Sequence, residues 1–423
     1  MNKSVNTCFV EETKYNHSYL NSFQRLCKNL TVKSFDKFSD GCIRLTDTEG
    51  SITLGNPKTK VLVTELDILD GNVYTKLVLG GSIGAAEAYM DGLWTTSDLT
   101  TVIRILARNQ HVLKDMDSGA VKISAAINKI IHLFRRNNRD GSKKNIAAHY
   151  DLGNDFYKLF LDQTMMYSSG IFSEQKQSLF DASENKLKII CDKLSLNKDD
   201  HVIEIGTGWG GFAIYAATHY GCRVTTTTIS KEQYNYAKEK IEALGLNDKI
   251  TLLLQDYRDL SGQFDKLVSI EMIEAVGYEY YKDFFKQCNS LLKENGRMLL
   301  QAITINEQRY EKAKTEVDFI QRYIFPGGCL PSNTAIQHHI TNYSNMRLVS
   351  MQEIGVSYAK TLNKWREAFL DRTEDVLAMG FPISFIRMWE FYFCYCEGGF
   401  LERTIGCSHL VFDKPDCRLS NIT

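Results

Sequence analysis

Two rhythms of apolar and polar positions divide the chain. Between about residues 20 and 110, short runs alternate apolar and polar side chains: Cys42-Ile-Arg-Leu-Thr, Ser51-Ile-Thr-Leu and Val61-Leu-Val-Thr. That period of two predicts half-buried strands. A Gly80-Gly81 turn then leads into Ile83-Gly-Ala-Ala-Glu-Ala-Tyr-Met, which reads as a helix. The stretch is a small α+β domain. Further on, Val121, Ile123, Ile127, Ile130, Ile131 and Phe134 recur at helical spacing.

From about residue 200 the rhythm becomes strand, helix, strand. His201-Val-Ile-Glu-Ile, Cys222-Arg-Val-Thr-Thr-Thr-Thr-Ile, Ile250-Thr-Leu-Leu-Leu, Lys266-Leu-Val-Ser-Ile and Arg297-Met-Leu-Leu-Gln-Ala-Ile read as strands. Phe212 to His219, Lys231 to Leu244 and Tyr280 to Leu292 read as helices between them. Short connections and this alternation predict an α/β fold with an open, mostly parallel sheet covered on both faces.

Between the two rhythms lies Arg135-Arg-Asn-Asn-Arg-Asp-Gly-Ser-Lys-Lys144, with five basic residues, one acid and no apolar side chain. It divides the chain into an N-terminal α+β domain (1–134), a basic linker (135–144) and a larger domain (145–423). One reading of the strip is a solvated linker. The other is a basic face for anionic lipid head groups.

Composition narrows the classes. At roughly 150 residues per domain, 423 residues suit two or three domains. With 43% hydrophobic and 24% charged residues, global disorder is excluded. Fifty basic against 51 acidic residues argue against a nucleic-acid partner, while leaving room for a local basic patch. The 11 cysteines are scattered without a CxxC pair, so neither a zinc ribbon nor a disulfide framework is expected, and no metal site is expected. The first residues are polar, with no signal-like apolar core. The two uncharged runs long enough to test as membrane spans, 205–222 and 323–346, are broken by glycines, prolines, histidines and hydroxyls. A soluble, cytoplasmic protein is expected, with a membrane-surface substrate still open.

The first strand of the α/β region ends in Glu204-Ile-Gly206-Thr-Gly208-Trp-Gly210-Gly211. Gly206, Gly208 and Gly211 satisfy G-x-G-x-x-G, so a dinucleotide site has to be weighed. That fingerprint wants an acid at the end of the second strand, where this chain has Thr228-Ile-Ser-Lys231. An acidic first strand followed by G-x-G instead fits S-adenosylmethionine, with Asp256 after the third strand placed for an adenine amino group. A Gly-rich turn serving strand–helix packing alone is the third reading.

Several ordered segments carry a family resemblance. They are Asn145-Ile-Ala-Ala-His-Tyr-Asp-Leu-Gly-Asn-Asp-Phe-Tyr157, Met166-Tyr-Ser-Ser-Gly-Ile-Phe172, the Gly loop, Thr228-Ile-Ser-Lys-Glu-Gln233 and Gln255-Asp-Tyr-Arg-Asp259. After them come Glu271-Met-Ile-Glu-Ala-Val-Gly277, Ile324-Phe-Pro-Gly-Gly-Cys-Leu-Pro331 and Tyr358-Ala-Lys-Thr-Leu362. From about Asn145 to Asp413 the chain resembles the cyclopropane-fatty-acyl-phospholipid synthases and the related mycolic-acid cyclopropane synthases. The first 136 residues look like the N-terminal domain of the longer bacterial members.

The resemblance implies a Rossmann-like methyltransferase domain that moves a methyl group from S-adenosylmethionine to the cis double bond of a phospholipid acyl chain. A carbocation forms, and bound bicarbonate takes the proton. It implies a cofactor set of Tyr167, Ser168, Gly206, Gly208, Thr228, Gln233, Asp256 and Tyr257. It implies a bicarbonate set of Ser169, Glu274, Gln301, the backbone of Ile303 and Tyr358. Cys396 matches a family cysteine, with core packing as the alternative role. His149 and Asp151 read as structural ties. Trp389-Glu-Phe-Tyr-Phe-Cys-Tyr395 reads as half core, half tunnel wall. A peripheral site at the inner membrane face is implied, with lipid binding and a homodimer through the N-terminal domain.

The chain departs from the family pattern at the anion site: Ser169 stands for Cys, Ala275 for His and Gln301 for His. Ser169 adds a hydroxyl donor, and Gln301 donates but carries no charge. An intact, less positive anion pocket is therefore expected. The product stays open among ring, methyl branch and methylene. A small-molecule N-methyltransferase and a lipid-binding protein without catalysis are the competing functions.

Overall fold

Buried runs of apolar and β-branched residues build the centre of the larger sheet. In the computed structural model, which describes residues 19–56, 58, 62–114, 152–174 and 176–420, seven strands join: β5 (His201–Ile205), β6 (Arg223–Thr228), β7 (Ile250–Leu254), β8 (Phe264–Ile270), β9 (Leu292–Ile305), β10 (Arg347–Glu353) and β11 (Ile405–Asp413). Their order across the sheet is β10-β11-β9-β8-β5-β6-β7. The pairs β5–β6, β6–β7, β5–β8 and β8–β9 are parallel. Only β11 runs against its neighbours β9 and β10.

Alternation sends successive side chains to opposite faces. Val202, Val268, Leu299 and Val411 enter one core with Phe212 and Leu187. Ile203, Leu267, Met298, Leu300, Leu410 and Phe412 enter the other, with Phe284 and Ile336. The chain leaves β5 toward β6 and β7 on one side and returns to β8 and β9 on the other. The loops after β5 and β8 therefore flank a crevice at the carboxyl edge of the sheet, where open α/β folds bind ligands.

The described chain divides into two compact units that are not consecutive in sequence. The first comprises Met1–Ile131, Glu316–Ile324 and Leu362–Thr404; the second comprises His132–Thr315, Phe325–Thr361 and Ile405–Thr423. The first unit holds a four-stranded sheet of order β2-β1-β3-β4, from β1 (Cys42–Asp47), β2 (Gly50–Gly55), β3 (Val63–Ile68) and β4 (Trp94–Thr95). Helix Ile383–Leu401 packs on helices Asn72–Met90 and Leu99–Arg108 within it. A helix apolar on all sides is buried on all sides: Trp389, Phe391, Tyr392 and Phe393 are core residues. Its buried acids are answered, Glu390 by the Tyr89 hydroxyl at 2.7 Å and Glu397 by Thr100 Oγ1 at 3.0 Å.

The sheet, its parallel pairs and its three intervening helices agree with the sequence reading. The third N-terminal strand is Val63–Ile68, and Val61, from which it was expected to run, lies outside the described residues. The expected break at Gly80-Gly81 is present: helix Asn72–Met90 joins two helical stretches across a kink at Gly81, where φ is 57°. A positive φ is open to glycine at no steric cost, so the chain bends and resumes the helix. Strands β10 and β11 were not expected. Among the described residues, no helix is long and apolar enough to cross a membrane. The expected helix over 119–134, the basic strip 135–144, and His149 and Asp151 lie outside the described residues.

Candidate active site

The Gly loop after β5 is built for close approach. Gly206, Gly208 and Gly210 all have positive φ (102°, 53° and 91°), and Gly210 caps helix Gly211–His219. A Cβ on Gly206 would press on Met272 at 3.3 Å, one on Gly208 would meet no protein atom within 4 Å, and one on Gly211 would lie 2.3 Å from Met166 Sδ. Gly211 thus lets the Met166-Tyr-Ser segment lie against the loop. Gly208 leaves its surface open on the side where a ligand would sit.

Around this loop stand aromatic rings. Tyr167 contacts Tyr157 at 5.3 Å, Phe160 at 6.1 Å and Phe325 at 6.2 Å between ring centroids. Trp209, inside the Gly loop, lies 5.0 Å from Tyr157 and donates its indole N–H to Asn154 Oδ1 at 2.7 Å. Ring faces in this position suit a sulfonium cation.

The other expected cofactor residues gather at the same edge. Thr228 ends β6 and donates to Gln233 Oε1 at 2.9 Å. Gln233 follows the Ser230 cap of helix Lys231–Ala243 and is buried. Asp256 follows β7, and Arg258 grips both its oxygens, from Nε at 2.9 Å and Nη2 at 2.7 Å. The Arg258 backbone N–H adds a third bond to Asp256 Oδ1 at 3.0 Å, so the carboxylate is fixed at the end of β7. Tyr257 leans on Phe284, 5.6 Å away. Buried Glu204 accepts from Thr226 Oγ1 at 2.6 Å, and burial pushes its pKa up to about 8. Ser168 Oγ accepts from Lys186 Nζ at 2.7 Å, and burial pulls this fully enclosed lysine down to about 8. These side chains fit S-adenosylmethionine: an open glycine turn, aromatic faces, and acids at the ends of β5 and β7.

The anion site differs from expectation. The chain turns sharply after β8 at Glu271, whose φ is 50°. A non-glycine residue there is strained, and such strain gathers at functional sites. Its carboxylate is the centre of the cluster. Glu271 Oε1 accepts from the Ser169 N–H at 3.0 Å and from Gln301 Nε2 at 2.6 Å, and Oε2 accepts from the Tyr358 hydroxyl at 2.6 Å. Three groups assigned to bicarbonate thus hold a side chain of the protein itself. The Ser169 hydroxyl turns away and donates to Gly170 O at 2.8 Å. The fourth, the N–H of Ile303, donates to Glu274 Oε1 at 2.5 Å. Bicarbonate does not fit where Glu271 already sits, which corrects the expectation of an intact, merely less positive anion pocket.

The two acids are distinct. Burial, and then the neighbouring Glu271 charge, push Glu274 up to about 8, and its second oxygen is buried with no hydrogen-bond partner among the described residues. Burial also raises Glu271, against the pull of Tyr358, the Ser169 N–H, Lys186 and Gln301. Glu274 is the protonated partner near neutral pH, and Glu271 is the one supplied with donors.

A buried chain fixes those donors. His409 Nε2 lies 2.9 Å from Gln301 Oε1, and its Nδ1 lies 3.1 Å from Lys193 Nζ. Burial holds His409 well below the ordinary histidine range, so the ring is neutral. With Lys193 donating to Nδ1, Nε2–H donates to Gln301 Oε1 and turns the amide NH2 toward Glu271.

The expected cofactor residues lie in the Met166-Tyr-Ser run and in the segments at the carboxyl ends of β5, β6 and β7. The anion residues meet around two glutamates. Cys396 stands in the first unit on helix Ile383–Leu401, where burial pushes its thiol above the ordinary range; a protonated thiol is a poor nucleophile. Sequence reasoning missed Glu271, Lys186 and His409. Two glutamates three residues apart after an apolar strand were the available signal.

Comparison with known proteins agrees with this geometry. The family model described as Mycolic acid cyclopropane synthetase matches residues 137–410. Tuberculostearic acid methyltransferase UfaA1 of Mycobacterium tuberculosis is 37% identical over 331 residues, 76% of either chain. Cyclopropane-fatty-acyl-phospholipid synthase of Escherichia coli is 35% identical over 357 residues, 83% of this chain and 88% of that protein. The crystal structure of mycolic acid cyclopropane synthase CmaA1 complexed with SAH and CTAB aligns with a TM-score of 0.60 at 28% identity, over 64% of this chain and 98% of that one. The cyclopropane synthase MmaA2 from Mycobacterium tuberculosis aligns equally well, at 26% identity. The match to more than half of the chain, on a sheet whose Gly loop and paired glutamates share one edge, makes this protein a member of the mycolic acid cyclopropane synthetase family of S-adenosylmethionine-dependent methyltransferases.

Proposed function

We propose that the protein adds a methyl-derived carbon to the cis double bond of an unsaturated acyl chain carried in a phospholipid, working at a membrane surface. The observation that carries this reading is the half-buried Glu271–Glu274 pair, with Glu274 Oε2 enclosed, beside an aromatic-lined glycine loop. Carbon alkylation of an alkene generates a cation that has to lose a proton, and the pair offers an acceptor away from water. The 35% identical relative named as a phospholipid synthase supports the lipid class.

Bound S-adenosylmethionine would supply an electrophilic methyl group. The residues of this chain do the rest. Tyr167 and Trp209 face cationic charge at about 0.5–2 kcal/mol per ring. Burial around Glu274 keeps out the water that would otherwise capture a carbocation. Tyr358, Gln301 and the Ser169 N–H steady the charge on Glu271.

The 37% identical relative is named as a methyltransferase rather than a cyclopropane synthase, which favours a methylene or methyl-branched product as the second reading. Mass spectrometry of lipids from cells with and without the gene tests both. Acyl chains heavier by one CH2, or by CH4 where a cellular reductant then saturates the methylene to a methyl branch, are expected only with the gene, and proton NMR separates ring from methylene. Unchanged lipids with folded protein present would refute the proposal, and methylated soluble amines would favour the N-methyltransferase alternative.

A further inference from the structure

The anion site carries an inference that rests on the proposed alkene methylation and goes beyond it. The three donors around Glu271 come from distant segments: Ser169 after the Met166-Tyr-Ser run, Gln301 on β9 and Tyr358 on helix Gly355–Asp371. Each ends on a Glu271 oxygen at 3.0 Å or less. Gln301 is itself held by His409. A carboxylate needs several donors when buried, and these three provide them. The left-handed backbone at Glu271 is the strained conformation that delivers the side chain there. Met272, the next residue, lies against the position a Cβ on Gly206 would take, so the glutamate turn abuts the cofactor loop.

We infer that Glu271 is a built-in carboxylate base that replaces bicarbonate as the proton acceptor in this enzyme. The π pair of the alkene forms the new carbon–carbon bond as the S–CH3 bond breaks, its pair remaining on sulfur. The neighbouring carbon becomes cationic. A C–H bond of the added methyl then gives its pair to carbon, and its proton forms an O–H bond on Glu271. For a ring, that pair closes onto the cation. For a methylene, a hydride first moves from the methylated carbon to the cation, and the pair becomes the new double bond. Glu271 afterwards returns the proton to solvent. Tyr358 and Gln301 act as positioning residues for its charge.

Two substitutions separate this from a structural role. Glycine accepts φ 50° without strain, so Glu271→Gly opens the donor pocket with the backbone retained. Glu271→Gln fills the pocket but takes no proton. Each is assayed with methyl-labelled S-adenosylmethionine and unsaturated phospholipid vesicles, in carbon-dioxide-free buffer and with added bicarbonate. Wild-type turnover is expected to agree within about twofold in the two buffers. Both variants are expected to fall by about a hundredfold or more. Bicarbonate is expected to restore Glu271→Gly by about tenfold or more and to leave Glu271→Gln inactive. A wild type that collapses without bicarbonate, or a Glu271→Gln that turns over normally, overturns the inference.

Absence of labelled lipid from folded wild type in both buffers would instead refute the proposed function. A binding measurement still decides whether Glu271 fills the anion pocket. Carbon-13 bicarbonate is expected to show saturable binding by NMR to Glu271→Gly and none to wild type. Saturable binding to wild type, or none to folded Glu271→Gly, overturns the inference whatever the turnover.

Discussion

In the proposed mechanism Glu271 takes the proton beside the protonated Glu274, and single substitutions test each acid. Glu274→Gln keeps the acceptor for the Ile303 N–H but holds no transferable proton. Its turnover is expected to fall by about a hundredfold, with S-adenosylhomocysteine affinity, measured by calorimetry, within a few-fold of wild type. Equal turnover would show that Glu274 is a packing residue. Burial raises Glu204 and Glu274 from an ordinary 4.5 to about 8. Folded, each keeps a proton that the unfolded chain loses above its ordinary value. That contribution to stability is complete below about pH 4.5 and is lost as pH rises through about 8. The thermal unfolding midpoint is expected to fall across that window, and Glu204→Gln to make the fall shallower. Parallel curves would contradict it. At this scale the glycine loop was legible, because Gly206, Gly208 and Gly211 carry the spacing of a strand-to-helix turn, whereas the rest of the cofactor set came from the family resemblance. Glu271 was not, although its motif was read. Its role depends on donors 102, 30 and 87 residues away, which only the fold assembles.

Strands and helices carry the site by fixing where their ends fall. The β5 turn has to pass under Met166, and Gly211 makes room: a Cβ there would meet Met166 Sδ at 2.3 Å and Thr164 O at 3.2 Å. Gly211→Ala is expected to push the Tyr167 segment away and weaken cofactor binding by about tenfold or more, within the reach of lost aromatic contacts, as read by calorimetry. Unchanged affinity would show that the segment adjusts. The partners β9 and β11 are locked by a buried pair, Arg297 Nε to Asp413 Oδ1 at 2.6 Å and Nη2 to Oδ2 at 3.0 Å. Asp413→Asn leaves the guanidinium without its counter-charge and is expected to cost about 3–5 kcal/mol in chemical denaturation; a loss below about 1 kcal/mol would contradict that. The parallel strands were legible because they read as short apolar or β-branched runs, the four threonines of β6 included, alternating with helices. Strand β10 was not, being a largely exposed edge with no such run; β11 is buried, but Ser408 and His409 interrupt its apolar residues. The break at Gly81 was legible in the glycine pair, though not that a helical stretch also precedes it.

Across the whole molecule, the near-equal counts of 50 basic and 51 acidic residues leave any membrane attraction to local features. The first unit draws on three separated stretches of chain, including helix Ile383–Leu401. Sequence order alone did not reveal that, because its aromatic run reads equally as core or as ligand wall. Alkylation of a lipid double bond remains the central claim. Its most direct measurement is transfer of label from methyl-labelled S-adenosylmethionine to vesicles of cis-unsaturated phospholipid, with saturated vesicles as control. Label is expected in the fatty acids of the unsaturated vesicles alone. Folded protein that binds S-adenosylhomocysteine yet labels neither, or labels both equally, would contradict the account.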